Sequence, residues 1–322
     1  MLSWFLLKRL ATLLITLAVA SVMIFAVLEL LPGNAAQVVL GDTATPESIA
    51  ALEARLGLDQ PALLRYGRWV GGLLGGQTAQ SISYDTPTAE LIAQRLQVTL
   101  PLAVLAMGLT TLAAIGLGVY AAAHHRRLGD VGVMAASQVG MAIPNFWFAI
   151  LLILLFAVKL RWFAAGGFPG WIEDEGGGLW PGLKALLLPA LSLAVIQAAM
   201  LARVTRSAVL EVMREDYVRT ARAKGLSRRA VLWRHVLRNA LIPVVTLMGL
   251  QFANLVTSAI VVENVFVLPG VGRLVFQAIS NRDLVVVRDT VMLLAAAVVL
   301  INFLVDVVYA LIDPRLAPAE AA

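Results

Sequence analysis

The chain of 322 residues has no cysteine, three histidines and few charges, with Asp, Glu, Lys and Arg together at 14%. Without cysteine there is no disulfide, no thiolate metal site and no cysteine nucleophile. His124 and His125 are neighbours that cannot share a helix face, and His235 stands among basic residues, so the histidines make no metal motif. No GxxxxGK[ST] phosphate loop occurs, so the chain does not bind ATP by that route. Gly225-Leu226-Ser227-Arg228-Arg229 is not a GxSxG nucleophile elbow. No Ser–His pair or paired carboxylates suited to catalysis lie within the apolar segments, which disfavours an intramembrane enzyme. No nucleic-acid-binding module is recognisable, and the net charge of +5 is concentrated in one segment. Nothing in the sequence calls for a cofactor.

What the chain has in abundance is hydrophobic surface. Apolar residues make up 60% of it and the mean hydropathy is +0.85, the composition of a polytopic membrane protein. Six apolar segments are candidate spans, over residues 10–31, 99–123, 131–158, 185–202, 241–262 and 288–312. The first exceeds the ~7–15 residues of a signal-peptide core, so it reads as an uncleaved helix, ending at Pro32-Gly33. The third contains Pro144, where a kink is expected, and Asp313-Pro314-Arg315 closes the sixth. The fold class is thus an all-α integral membrane protein of about six transmembrane helices. Residues 1–31 hold the N-terminus and first helix, 32–98 a helical periplasmic segment, 99–312 a five-helix transmembrane core, and 313–322 a cytoplasmic tail. Within 32–98, Thr45 caps a helix that starts at Pro46 and ends at Gly57, and Pro61 starts a second, broken by Gly71, Gly72, Gly75 and Gly76. Pro87 starts a third.

Basic residues are distributed unevenly. Residues 203–238 hold ten of the 25 Lys and Arg, against three acids, Glu211, Glu215 and Asp216. Lys and Arg in short loops mark the cytoplasmic side. With six spans, the inner segments carry fifteen basic residues, including Lys8, Arg9, Arg126, Arg127 and Arg315, and both termini are cytoplasmic. In the outer loop 159–184, Trp162, Trp171 and Trp180 suit an interfacial belt. The basic loop, 203–240, has helical spacing at Leu210, Met213, Tyr217 and Ala221, a helix-ending glycine at Gly225, and Ser227 as the cap of a second helix. Its charge alone suits an orientation signal against anionic lipid heads of the bilayer.

The order of residues in that loop carries more. Tyr217-Val218-Arg219-Thr220-Ala221-Arg222-Ala223-Lys224-Gly225-Leu226 and His235-Val236-Leu237-Arg238-Asn239-Ala240-Leu241-Ile242-Pro243 resemble the cytoplasmic signature loop of ABC importer permeases of the dipeptide/oligopeptide/nickel class. Arg219-Thr220-Ala221 replaces the usual Glu-Ala-Ala, and Gly225 matches the glycine that follows. Leu56-Gly57-Leu58-Asp59-Gln60-Pro61, Pro87-Thr88-Ala89-Glu90-Leu91-Ile92 and Phe266-Val267-Leu268-Pro269-Gly270-Val271-Gly272-Arg273 extend the resemblance over nearly the whole chain. Gly76-Gln77-Thr78-Ala79 departs from the Gly-Asp, apolar, Gly turn of relatives. The resemblance implies a bacterial inner-membrane permease with no catalytic residues of its own. It implies a second, usually different, permease, two ATP-binding subunits and a periplasmic solute-binding protein as partners. Asp216, Tyr217, Arg219, Thr220, Ala221, Arg222, Lys224 and Gly225 would form the loop that couples to the ATPase. Peptides are the implied cargo, although relatives also carry nickel, glutathione or oligosaccharides. A self-sufficient channel or secondary transporter is the competing class.

Polar residues within spans are costly and tend to face the bundle interior or a water-filled path. Gln251, Asn254 and Ser258 recur at three- and four-residue steps in the fifth span. Gln138 and Asn145 flank Pro144, and Gln197 lies in the fourth span. Two readings stand: a translocation path, or hydrogen bonds between helices. Asp306, near the end of the last span, reads as half of a structural ion pair or as a cap.

Overall fold

The computed structural model describes residues 2–30, 36, 40–41 and 45–312. The expected stops at Pro32-Gly33 and Asp313-Pro314-Arg315 lie outside these residues. In chain order the helices are α1 (Leu2–Glu29), α2 (Pro46–Leu56), α3 (Ala62–Gly75), α4 (Thr88–Ala123), α5 (Leu128–Ala142), α6 (Asn145–Leu152), α7 (Leu179–Val212), α8 (Asp216–Ala223), α9 (Arg228–Val265), α10 (Val271–Ser280) and α11 (Leu284–Ile312). A π-helical stretch, Ile153–Lys159, continues α6, and another, Val231–Val236, lies near the start of α9. Among the described residues the only strand-like pairing is an isolated bridge between Gln80 and Pro87.

Five helices are long and apolar enough to cross a membrane, and the pair α5–α6 makes a sixth crossing if counted as one span. That pair corrects the expected kink at Pro144. The two halves are bent by 103°. Proline disfavours helical geometry in the residue before it, and Ile143 is extended, with φ −86° and ψ 125°. Other boundaries move outward. The helix expected to begin at Pro87 is continuous with the second span, so α4 runs 36 residues through Pro101. Its first turns persist because Leu91 and Ile92 are buried against Leu274, Ala278 and Val286 of α10 and α11. Likewise α7 begins at Leu179 and extends through Arg203 and Arg206 to Val212. In α3, Gly71, Gly72 and Gly75 do not break the helix; Gly76 closes it, in left-handed geometry at φ 71°. The cap on α2 matches its sequence signal: Thr45 accepts from the Ser48 amide at 3.2 Å, Pro46 follows, and Gly57 ends the helix.

α4 and α7 form the central pair. Their facing surfaces are rich in small residues, Ala103, Ala106 and Ala114 on α4 and Ala194, Ala198 and Ala202 on α7, all buried. Small side chains let backbones approach and maximise dispersion contact where lipid offers no hydrophobic drive between helices. At Gly118 the approach is so close that a Cβ would collide with Thr205 and the Ala202 carbonyl. Leu102, Leu186, Leu193, Leu255, Phe266 and Leu268 complete the core. The periphery is different: none of the most apolar window of α11 is buried, and only 6% of that of α1. These two helices pack on each other, with Arg9 and Asp306 paired at 3.2 Å.

Buried carboxylates brace the end of the bundle opposite the basic loop. Glu263, at the end of α9, accepts from Thr99 Oγ1 at 2.5 Å and from the Gly272 amide at 2.7 Å, so it caps α10 and holds α4 at once. Asp283 accepts from Ser81 Oγ at 2.6 Å and the Ser83 amide at 3.0 Å. Asp289 accepts from Trp69 Nε1 at 2.8 Å and Thr88 Oγ1 at 2.5 Å. All three acids are buried and hydrogen-bonded, the condition under which charge is tolerated inside a fold.

Candidate functional site

The basic loop folds into α8, a glycine turn and the start of α9. The chain turns at Arg214 and Glu215, so Leu210 and Met213 belong to the end of α7 and its cap, and the expected single helical register is interrupted there. α8 therefore presents a different inner face from the one its periodicity suggests. Val218 is fully buried and Ala221 nearly so, packed among Val119, Val209, Val231 and Val236. Tyr217 is exposed, with its hydroxyl accepting from Asn239 Nδ2 at 2.7 Å. The remaining sites all face outward: Asp216, Arg219, Thr220, Arg222, Lys224 and Gly225. Arg219 and Asp216 approach to 3.3 Å, an exposed i,i+3 pair worth only ~0.3–0.5 kcal/mol.

Gly225 ends α8 with φ +81°, and the Leu226 amide reaches back to the Ala221 carbonyl at 3.4 Å. Only glycine adopts that left-handed geometry without strain. Two residues later Ser227 caps α9, its hydroxyl accepting from the Ala230 amide at 3.3 Å. The result is a short, highly charged helix whose seat in the bundle consists of two small apolar side chains.

Beside it lies a cluster that sequence reasoning missed. Arg206 on α7 donates from Nε and Nη2 to the two carboxylate oxygens of Asp130 at 2.5 and 2.7 Å. The Arg126 amide donates to the same carboxylate at 3.0 Å, and His125 Nδ1 is 3.3 Å away. This bidentate pair fastens α5 to α7. The signal was an acid two residues into an apolar helix, which needs a buried partner.

The six intramembrane polar residues do not converge. Gln251 is buried and donates to the Gln197 carbonyl at 3.4 Å, leaving its Oε1 without a partner. Asn254, one turn on, is exposed, and Ser258 is half-buried. Gln138 is exposed and accepts from Arg203 Nη2 at 2.6 Å. Asn145 stands at the start of α6, just past the break, with its Oδ1 buried and unpartnered. Gln251 with Gln197, and Gln138 with Arg203, are contacts between helices.

Comparison with known proteins gives a consistent answer. Residues 114–318 match the family described as binding-protein-dependent transport system inner membrane component, and residues 1–103 match the N-terminal component of such systems. A Brucella suis protein provisionally named a peptide transport system permease is 42% identical over 309 residues, 96% of this chain and 97% of its own length. The dipeptide transport system permease protein DppB of Alkalihalophilus pseudofirmus is 37% identical over 325 residues, 96% and 98% of the two chains. The glutathione transport system permease protein GsiC of Salmonella paratyphi A is 39% identical over 312 residues, 97% and 98%. Among solved structures, a chain of the inward-facing MetNI methionine ABC transporter superposes with a TM-score of 0.54 at 18% identity, covering 69% of this chain and 96% of that one, a likeness of fold.

Proposed function

The chain belongs to the family of inner-membrane components of binding-protein-dependent transport systems, and from that premise we propose how its parts serve import. It is a multi-pass permease subunit of an ABC importer of the peptide class, with ATP hydrolysis on separate partner chains. In our reading, both termini and the basic loop face the cytoplasm. The loop meets one of two ATP-binding subunits. A second permease of different sequence completes the transmembrane pair, and a periplasmic solute-binding protein delivers di- or oligopeptides to residues 32–98 and the loops beside them. The core of the permease is then 99–312, with 203–240 as its coupling loop.

A single observation carries this reading. α8 turns every charged side chain outward while Val218 and Ala221 seat it in the bundle. A helix exposed in this way has a free polar face for a protein groove and a fixed apolar one to pass force onward. Closure of the ATPase pair would push α8, and Arg206–Asp130 would carry the movement from α7 to α5, biasing a two-state arrangement of spans. The glutathione permease among the relatives keeps that tripeptide as a second cargo of the same class. The translocation path is proposed to pass Gln138, Asn145, Gln197, Gln251, Asn254 and Ser258.

The test reverses charge at Arg219 and Arg222 and replaces Gly225 by Pro in the assembled transporter. ATP-dependent peptide uptake is expected to fall to background while the subunits still reach the membrane. Uptake at wild-type rate would remove α8 as the coupling element.

A further inference from the structure

The end of the bundle away from α8 holds a cavity of about 490 Å³ between α1, α3 and α11. Its walls are of two kinds. Phe25, Leu28, Leu284 and Val285 are apolar, whereas Arg65, Arg68 and Arg288 bring three guanidinium groups to one space. The acids present are already engaged. Glu29 pairs with Arg65. Asp289 receives Trp69 Nε1, Thr88 Oγ1 and Arg288 Nε. Arg288 spends only that Nε, at 3.3 Å, and lies over the Trp69 ring at 4.8 Å, so its two terminal nitrogens have no hydrogen-bond partner among the described residues. Arg68 has neither an ion pair nor a hydrogen bond among them.

The depth of α3 tells what can reach this cavity. Tyr66 meets Ser21 of α1 at 2.8 Å, and Phe25 packs on Tyr66 and Trp69 at 5.5 and 6.1 Å. Ser21 lies two turns before the end of α1 at Glu29, about 12 Å along the helix at a rise of ~1.5 Å per residue. α3 therefore runs beside the span itself and not above it. Its outer arc is apolar: Leu63 and Leu74 are 83% and 86% exposed. A helix with aliphatic residues outward and arginines at its edge lies at the boundary between acyl chains and headgroups. The adjoining faces of α1 and α11 are the least buried of the spans, open for acyl chains to continue along.

We propose that this cavity binds the phosphodiester headgroup of an anionic phospholipid. The guanidinium fork matches phosphate oxygens bidentately, and three forks against two committed carboxylates leave the site cationic. Lipid would thereby lock residues 62–88 against α1 and α11. The reading of α8 as a coupling element plays no part in this argument.

The test is native mass spectrometry on the delipidated full-length protein, purified with the subunits that accompany it, titrated with phosphatidylglycerol, phosphatidylcholine or glycerol 3-phosphate. Phosphatidylglycerol is expected to bind about tenfold more tightly than phosphatidylcholine, a difference of ~1.4 kcal/mol. Arg68→Glu should abolish that preference, Arg68→Lys should keep most of it, and Lys159→Glu, an exposed reversal elsewhere at the same end, should leave it unchanged. Arg68 is exposed, so its replacement does not threaten folding. Equal binding of the two lipids, or equal effects of Arg68→Glu and Lys159→Glu, would overturn the proposal. Glycerol 3-phosphate binding as tightly as the lipid would overturn the lipid as its source.

Discussion

Val218→Ala tests how α8 is held. With eight residues, α8 is too short to be stable alone and depends on packing. Its inward side chains are Val218, fully buried, and Ala221. Shortening Val218 removes two methyl-sized groups, ~1.6 kcal/mol at about 0.8 kcal/mol each. The gap among Val119, Val209, Val231 and Val236 adds a cavity cost, bringing the loss to about 2 kcal/mol. That is a ~30-fold shift toward the undocked helix, concentrated locally because the rest of the bundle is untouched. Hydrogen exchange read by mass spectrometry should show amides within 216–225 exchanging ~30-fold faster, with α4 and α7 unchanged. Arg222→Ala is the counterpart: its side chain is exposed, so exchange should match wild type even though peptide uptake falls. Wild-type exchange in Val218→Ala would refute the argument that this packing seats the helix.

Other perturbations probe the bracing. Trp69→Phe keeps the ring beside Phe25 and Arg288 but deletes the donor to Asp289, a hydrogen bond to a charged group worth ~1.5–3 kcal/mol, so resistance to unfolding by SDS should drop by that amount. Gly272→Ala would press a Cβ into the Ile260 Cα and the Glu263 carboxylate, neither of which can retreat, and should cost ~1–3 kcal/mol by the same assay. Asp130→Asn leaves the Arg206 guanidinium without its carboxylate, and proteolysis or exchange near 125–133 should rise while α9 is unaffected.

Long apolar helices were legible because they need only length and composition, and the caps at Thr45 and Ser227 were legible because a cap is a local signal. What escaped was whatever depended on a distant partner. The first turns of α4 look like a separate amphipathic helix until Leu274 and Val286 cover Leu91 and Ile92. The inward place of Val218 was not legible because the spacing of Leu210, Met213, Tyr217 and Ala221 runs across the turn at Arg214 and Glu215. The polar residues Gln251 and Asn254 are 60° apart on an ideal helix, close enough to share a face by spacing, yet one points at α7 and the other away. Asp130, Glu263, Asp283 and Asp289 could each have been flagged as an acid beside apolar sequence, but their partners are up to 220 residues away and no pattern links them.

The two ends of the bundle are built on opposite principles, and the difference bears on how force would pass between them. At one end three buried carboxylates tie α4, α9, α10, α11 and the segment 62–88 by donors from four or more elements, so displacement of any one strands a charged acceptor. At the other, α8 rests on two apolar side chains and one bidentate pair joins α5 to α7. Packing without buried charge can slide at modest cost, whereas a bidentate pair on a buried carboxylate resists parting. Under the proposed coupling, movement entering at α8 would be taken up where the helices are free to shift and transmitted where Arg206 grips Asp130. It would then reach α5 and the 103° break at Pro144, which no backbone hydrogen-bond ladder stiffens. Joining α5 and α6 into one straight helix would have carried the push through the membrane as a rigid rod. The extended residue Ile143 makes it a joint, and a joint at that depth, beside the unpartnered Asn145 Oδ1, lets the two halves of the span answer different neighbours.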